Sequence, residues 1–194
     1  MCIRDRFCGS SSGTSPEYTT AAVALSAQIV ASDLELVYGG GNVGLMGAIA
    51  DSVLAHGGKV TGVIPQALMD KEVGHTGITD LRVVADMHER KAMMAELSDG
   101  FIALPGGWGT LEELFEVMTW LQLGFHTKPC AVYNVENYYD NLLKFLQQAT
   151  EAGFVKPLHT SMLIAVTSPA ELIERMLAFT PPQTQKWIGW GEED

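Results

Sequence analysis

Residues 101–124 read FIALPGGWGTLEELFEVMTWLQLG. An apolar run, a Pro-Gly-Gly break and then apolar residues at helical spacing describe a buried strand turning into a helix, expected here over 110–123. Gly106, Gly107 and Gly109 free the backbone to curl, and Thr110 places a hydroxyl at the positive end of the helix dipole. Such a turn can cradle one phosphate group. It lacks the Gly-Lys-Ser/Thr ending of the nucleoside triphosphatase loop, and no magnesium ligands accompany it, which argues against triphosphate hydrolysis.

The same alternation extends in both directions. Short runs rich in β-branched residues predict strands at 34–38, 59–64, 81–85, 101–104, 131–134 and 163–166. Helical periodicity predicts helices near 16–32, 43–56, 87–97, 110–123, 138–152 and 169–178, with Pro16 and Pro169 near first-turn positions. Strand–helix alternation of this kind signals an α/β fold: a doubly wound parallel sheet with helices on both faces. Residues 65–79 have no clear period and read as a long loop, and 180–194 as a peripheral tail. The 194 residues carry 47% hydrophobic content and suit a single domain.

The opening MCIRDR breaks this pattern. A doubly wound fold wants a buried apolar strand leading into FCGSSSG (7–13), where unpaired charges would be costly. The reading is that residues 1–6 stand where a native strand belongs, that only Phe7 and Cys8 survive from its end, and that Arg4, Asp5 and Arg6 carry no function.

A net charge of −11 offers no global attraction to a nucleic-acid backbone or an anionic membrane, so neither is an expected partner. A small anion would need locally organised positive charge. Cys2, Cys8 and Cys130 have no paired metal-type spacing and are odd in number, which fits a reducing compartment. No membrane-spanning run and no signal peptide is evident, and the expected location is the cytosol.

A second glycine turn, YGGGNVGLMG (38–47), satisfies GxGxxG spacing through Gly39, Gly41 and Gly44. A dinucleotide site would also want an acid at the end of the next strand, and KVTGVIP (59–65) supplies none. A plain tight turn and a phosphate wall, with Gly40 and Gly41 as the contacting residues, both stay open. The third cluster, ADMHERKAMMAELSDG (85–100), follows a strand end, where open α/β sheets place their ligand crevice. Arg90 could bring positive charge there, although a solvated helix face reads equally well.

Glu113 also has two readings. Thr110-Leu111-Glu112-Glu113 matches a capping box, in which the glutamate satisfies a backbone N–H at the helix start. Yet a carboxylate within one turn of a phosphate cradle repels the ligand, and chemistry at an adjacent sugar would explain its presence. His56, His75, His88, His126 and His159 are scattered, so no metal site is expected. Ser10, Ser11 and Ser12 form no nucleophile elbow. Phe115, Met118, Trp120 and Leu121 have helical spacing and read as core or as a dimer face.

Taken together, GGGNVGLMG, MHERKA, and PGGWGTLEE followed by TW and QLG resemble the LONELY GUY family of cytokinin riboside 5′-monophosphate phosphoribohydrolases, across residues 7 to about 155. Members were often labelled possible lysine decarboxylases. The resemblance implies a Rossmann-like fold, a homodimer, and release of adenine or an N6-modified adenine plus ribose 5-phosphate from a purine nucleoside 5′-monophosphate. It implies Arg90 and Glu113 as the catalytic pair. It also implies substrate contacts from Glu72, Lys91, Gly107, Trp108, Gly109, Thr110, Leu111, Glu112 and Thr119. Trp108 departs from the family's frequent tyrosine.

Breaking an N-glycosidic bond develops positive charge on the ribose. A carboxylate such as Glu113 could stabilise that charge or take a proton from the attacking water. Arg90 stays charged and suits positioning rather than proton transfer. Neither a redox cofactor nor a metal is required. Two rivals remain at this point: a nucleotide carrier or sensor without turnover, and pyridoxal-dependent decarboxylation, for which no partner to the pyridine nitrogen is identifiable.

Overall fold

Residues along the strands alternate between two covered faces. Leu36, Tyr38, Ile102, Leu104, Ala131 and Tyr133 enter one buried cluster, while Phe101, Ala103, Cys130 and Val132 enter another and Val37 a third. Successive side chains of a strand point to opposite faces, so strands apolar at every position need helices on both sides. The protein, described by a computed structural model for residues 6–7, 9–71 and 73–182, supplies them.

Its strands are β1 (Arg6–Phe7), β2 (Leu36–Tyr38), β3 (Val60–Pro65), β4 (Asp80–Val84), β5 (Phe101–Ala103), β6 (Cys130–Tyr133) and β7 (Leu163–Val166). They form one seven-stranded sheet in the order β4-β3-β2-β1-β5-β6-β7, and each pairing is parallel. The chain winds outward from β1 to β4, then crosses to the other side of β1. The winding direction therefore reverses between β1 and β5, and at such a switch point the carboxyl ends of the strands open a crevice.

On one face lie α1 (Pro16–Ala31), α2 (Gly44–Ala55) and α8 (Pro169–Leu177), whose Leu25, Ile29, Ile49, Val53 and Leu172 pack on the sheet. The other face carries α4 (Met87–Leu97), α5 (Trp108–Gln122) and α6 (Asp140–Glu151). Pro16 and Pro169 occupy first-turn positions as expected, and Ser15 caps α1 by accepting the Glu17 N–H at 3.3 Å. Short helices α3 (Gln66–Met69) and α7 (Pro157–Thr160) and a 3-10 turn at Val135–Asn137 were not expected, because a single turn leaves no readable period.

Two expectations need correction. Arg6, not only the residues after it, belongs to the central ladder: it pairs with Tyr38 on one side and Ile102 on the other, while Phe7 pairs with Ala103. Parallel pairing engages backbone groups that every non-proline residue carries, so a charged residue type does not forbid it. Cys8 and residues 1–5 lie outside the described residues, as do Glu72 and 183–194 of the tail. The second correction concerns α5, which begins at Trp108 with Gly107 as its N-cap and no side-chain cap bond. Thr110 is then already helical, and the capping-box reading of Glu113 falls. No helix among the described residues is long and apolar enough to cross a membrane.

Candidate active site

The turns that follow β1 and β5 lie against each other at the switch point: the Gly9 N–H donates to the Pro105 carbonyl at 3.2 Å. Two tyrosines pin the second turn, buried Tyr139 donating its Oη to the Leu104 carbonyl and exposed Tyr138 its Oη to the Gly106 carbonyl, each at 2.5 Å. Sequence reading missed both, since adjacent tyrosines carry no spacing signal. Thr110 is buried and its side chain fills the space beside Gly106, where any Cβ would overlap it. Its hydroxyl thus builds the floor of the turn. Gly107 and Gly109 face open space, and Trp108 stands 90% exposed at the mouth.

Across this mouth, α4 presents Arg90 and Lys91. Asp86 caps the helix: its Oδ1 accepts the N–H groups of Glu89 at 2.9 Å and His88 at 2.8 Å, which holds its carboxyl below its usual range. This fixes the first turn, where Arg90 sits. Arg90 Nη2 lies 3.7 Å from Glu113 Oε1, and each side chain is only 11% exposed. Among the described residues the guanidinium makes few other polar contacts. Nη1 reaches Met87 Sδ at 3.7 Å, and Nε is buried without a hydrogen-bond partner among the described residues.

Burial dominates the electrostatics of Glu113. Removal from water raises its carboxyl pKa to about 7; Arg90 opposes the shift and Glu112 adds to it. An opposed charge at 3.7 Å outside hydrogen-bond contact does not repay the desolvation. Glu113 therefore changes charge near neutral pH, as a proton-handling group in a cleft often does.

Lys91 is held differently. Its Nζ donates to Glu112 Oε1 at 2.7 Å and to Glu116 Oε1 at 3.0 Å. Burial opposes the lysine's charge, yet the two carboxylate bonds outweigh it and lift the pKa above the usual value. Arg90, Lys91, Glu112, Glu113 and Glu116 thus form one charged cluster between α4 and α5. Glu116 was not singled out from sequence. Its position four residues after Glu112 on the same helix face was the available signal.

Other expected residues are placed elsewhere or used otherwise. Thr119 lies six residues beyond Glu113, roughly 9 Å along the helix. Its hydroxyl donates to the Phe115 carbonyl at 2.7 Å. It lines a separate groove of about 190 Å³ with Leu114, Phe115, Met118, Leu142 and Leu146. Leu111 is half-buried on α5. The turn holding Gly40 and Gly41 is tied to the 65–79 loop, for the Gly40 carbonyl accepts the His75 N–H at 2.8 Å and the Asn42 N–H donates to Val73 at 2.9 Å. His75 Nε2 in turn meets Asp51 Oδ1 at 2.9 Å. Among the described residues, no three His, Cys, Asp or Glu side chains gather as metal ligands.

Residues 46–176 match the family described as possible lysine decarboxylase. A cytokinin riboside 5′-monophosphate phosphoribohydrolase of Arabidopsis thaliana is 48% identical over 181 residues, covering 93% of this chain and 84% of that protein. The chain belongs to the LONELY GUY family. Another such family member from Arabidopsis thaliana is 46% identical over 197 residues, with coverage of 100% of this chain and 89% of the relative. A probable one from Oryza sativa subsp. japonica is 49% identical over 181 residues, covering 93% and 71%. Solved structures carry the fold further from the LONELY GUY sequences. The molybdenum cofactor binding protein of Rippkaea orientalis aligns with TM-score 0.69 at 21% identity, over 92% of this chain and 97% of that one. The molybdenum cofactor carrier of Chlamydomonas reinhardtii aligns with TM-score 0.67 at 19% identity, over 92% and 99%. At those identities the likeness speaks to the Rossmann-like fold.

Proposed function

We propose that this LONELY GUY protein hydrolyses the N-glycosidic bond of adenosine 5′-monophosphate or its N6-modified forms, giving the free base and ribose 5-phosphate. The relatives' names set the reaction class. The observation that carries the residue assignment is the buried Arg90–Glu113 pair, set beside an open glycine turn at the sheet's switch point.

The phosphate binds at the N-terminus of α5, against backbone N–H groups from Gly107 to Thr110, with Lys91 supplying charge at the edge. Leu111, Glu112 and Trp108 border the sugar and base, Gly40 and Gly41 form the opposite wall, and Glu72 adds a contact, while Thr119, in its separate groove, is left out of the site. As the C1′–N9 bond breaks, ionised Glu113 stabilises the ribose cation or takes a proton from the water that attacks C1′, and the departing purine nitrogen gains a proton. Arg90 orients the nucleotide and balances its charge. No cofactor or metal enters this scheme. The whole chain acts as one nucleotide-binding domain in the cytosol. It works as a homodimer, with the apolar groove around Phe115 and Met118 among the surfaces covered.

A product assay with AMP, N6-isopentenyl-AMP, GMP and CMP tests the reading. Release of adenine-type bases with ribose 5-phosphate supports it. Tight nucleotide binding with no base released would favour a carrier instead. Light scattering at micromolar concentration should give about twice the chain mass, and a fully active monomer would refute the dimer.

A further inference from the structure

Gly39, the first residue after β2, belongs to a glycine turn whose spacing suggests a ligand cradle, yet its role is internal. A Cβ built on Gly39 would overlap Arg90 Nη2 and lie 2.9 Å from Arg90 Cζ and 3.4 Å from Arg90 Nε. These are the three nearest atoms, and all belong to one side chain. Backbone freedom does not explain the glycine, because Gly39 avoids the left-handed region that its neighbour Gly40 adopts at φ 72°. An alanine could take the same backbone. What it could not do is share space with the guanidinium.

Nor do polar contacts alone explain where the guanidinium lies. Among the described residues Nε is without a partner, Nη1 donates to the Met87 thioether, and Nη2 stands 3.7 Å from Glu113, beyond hydrogen-bond range. Shape therefore joins the pull of Glu113 in setting where it rests. We propose that Gly39 is a positioning residue for Arg90: the missing side chain leaves the seat in which the guanidinium rests, and that seat sets the distance from Arg90 to Glu113. The proposal rests on the catalytic reading of Arg90 and Glu113 only for its consequence in turnover, not for the seat.

Two consequences follow from the chemistry of the displaced group. The atoms a new methyl group would strike are the far end of a flexible side chain, so Arg90 swings away while the fold persists. Glu113 then stays buried but loses its opposing cation, and its carboxyl becomes harder to ionise. The glycine variant should thus behave as a weakened Arg90 variant.

The test compares four proteins: wild type, Gly39→Ala, Arg90→Ala and the double variant. Three quantities are read: the titration of the Glu113 carboxyl by carbon-13 NMR, kcat and KM for N6-isopentenyl-AMP, and the thermal midpoint. Gly39→Ala should raise the Glu113 titration midpoint and lower kcat by about tenfold to a hundredfold, as misplacement near the chemistry does. In the Arg90→Ala background the same substitution should change neither. If Gly39→Ala folds poorly, adding Arg90→Ala should restore the thermal midpoint. A Gly39→Ala protein with wild-type titration and turnover overturns the proposal, as does one whose defects persist in full when Arg90 is gone. If Arg90→Ala turns over normally while the titration shifts still coincide, the seat stands and the catalytic assignment of Arg90 falls.

Discussion

Arg90 and Glu113 face each other at 3.7 Å from neighbouring helices, both nine-tenths buried, without closing a hydrogen bond. A pair that closed would hold the carboxylate ionised. Left open, the pair leaves Glu113 with a carboxyl pKa of about 7, against an ordinary 4.5.

The first prediction concerns stability. The folded protein keeps a proton on Glu113 that the unfolded chain releases above 4.5, so the stability linked to this group is fully present below that pH and is lost as pH rises through about 7. The loss is on the order of 3 kcal/mol. Glu113→Gln is neutral throughout and escapes it. Its thermal midpoint should match wild type near pH 5 and exceed it by several degrees near pH 8. Calorimetry at the two pH values checks this, and a gap that does not widen with pH counts against the buried ionisation.

Substrate phosphate should be essential. The turn at Gly107 and Gly109 presents open backbone at a helix N-terminus, an arrangement suited to an anion and of little use to a neutral nucleoside. AMP should exceed adenosine in kcat/KM by at least about a hundredfold, a loss comparable to removing a strong oriented contact. Equal values for the two would remove the turn from the mechanism.

Of the six strands predicted from apolar runs, β2, β3, β5 and β6 were legible because they are buried on both faces, which forces a continuous signal, while the edge strand β4, with Val83 exposed, was legible from its β-branched residues. β1 was hidden by Arg6, since only backbone pairing marks it. Arg90, Lys91 and Glu113 could be picked out from motif and resemblance, but their geometry could not. Nothing in the order of residues tells that α5 starts at Trp108 rather than Thr110, and on that two-residue difference the capping reading depends. The role of Gly39 was equally hidden, because a glycine motif looks the same whether it makes room for a ligand or for an arginine.

Lys91 should tune the site from its edge. It bonds Glu112 and Glu116, and its charge helps Glu113 to ionise. Lys91→Met leaves three carboxylates close together on α5 with Arg90 as the nearby cation. The pH at which kcat/KM reaches half its plateau should move upward, and Lys91→Arg should restore most of it. A Met variant with an unmoved profile, assayed between pH 5 and 9, would confine Lys91 to holding the helices together.

Turnover itself should follow the charge of Glu113. The carboxylate form is the one that can stabilise a ribose cation or accept a proton from water, so kcat/KM should rise with pH through about 7 before reaching its plateau. Glu113→Gln keeps the size and polarity of the side chain and removes only the charge. It should lower kcat by roughly a hundredfold or more while nucleotide affinity persists or tightens, since a carboxylate beside the phosphate is gone. With α5 beginning at Trp108, no cap role remains to explain such a loss, and the stability gain expected at high pH separates it from unfolding. Single-turnover rates and equilibrium binding on the same preparation decide the matter. A Gln variant that releases base at the wild-type rate would take Glu113 out of the chemistry, leaving its buried position beside Arg90 to be explained by packing alone.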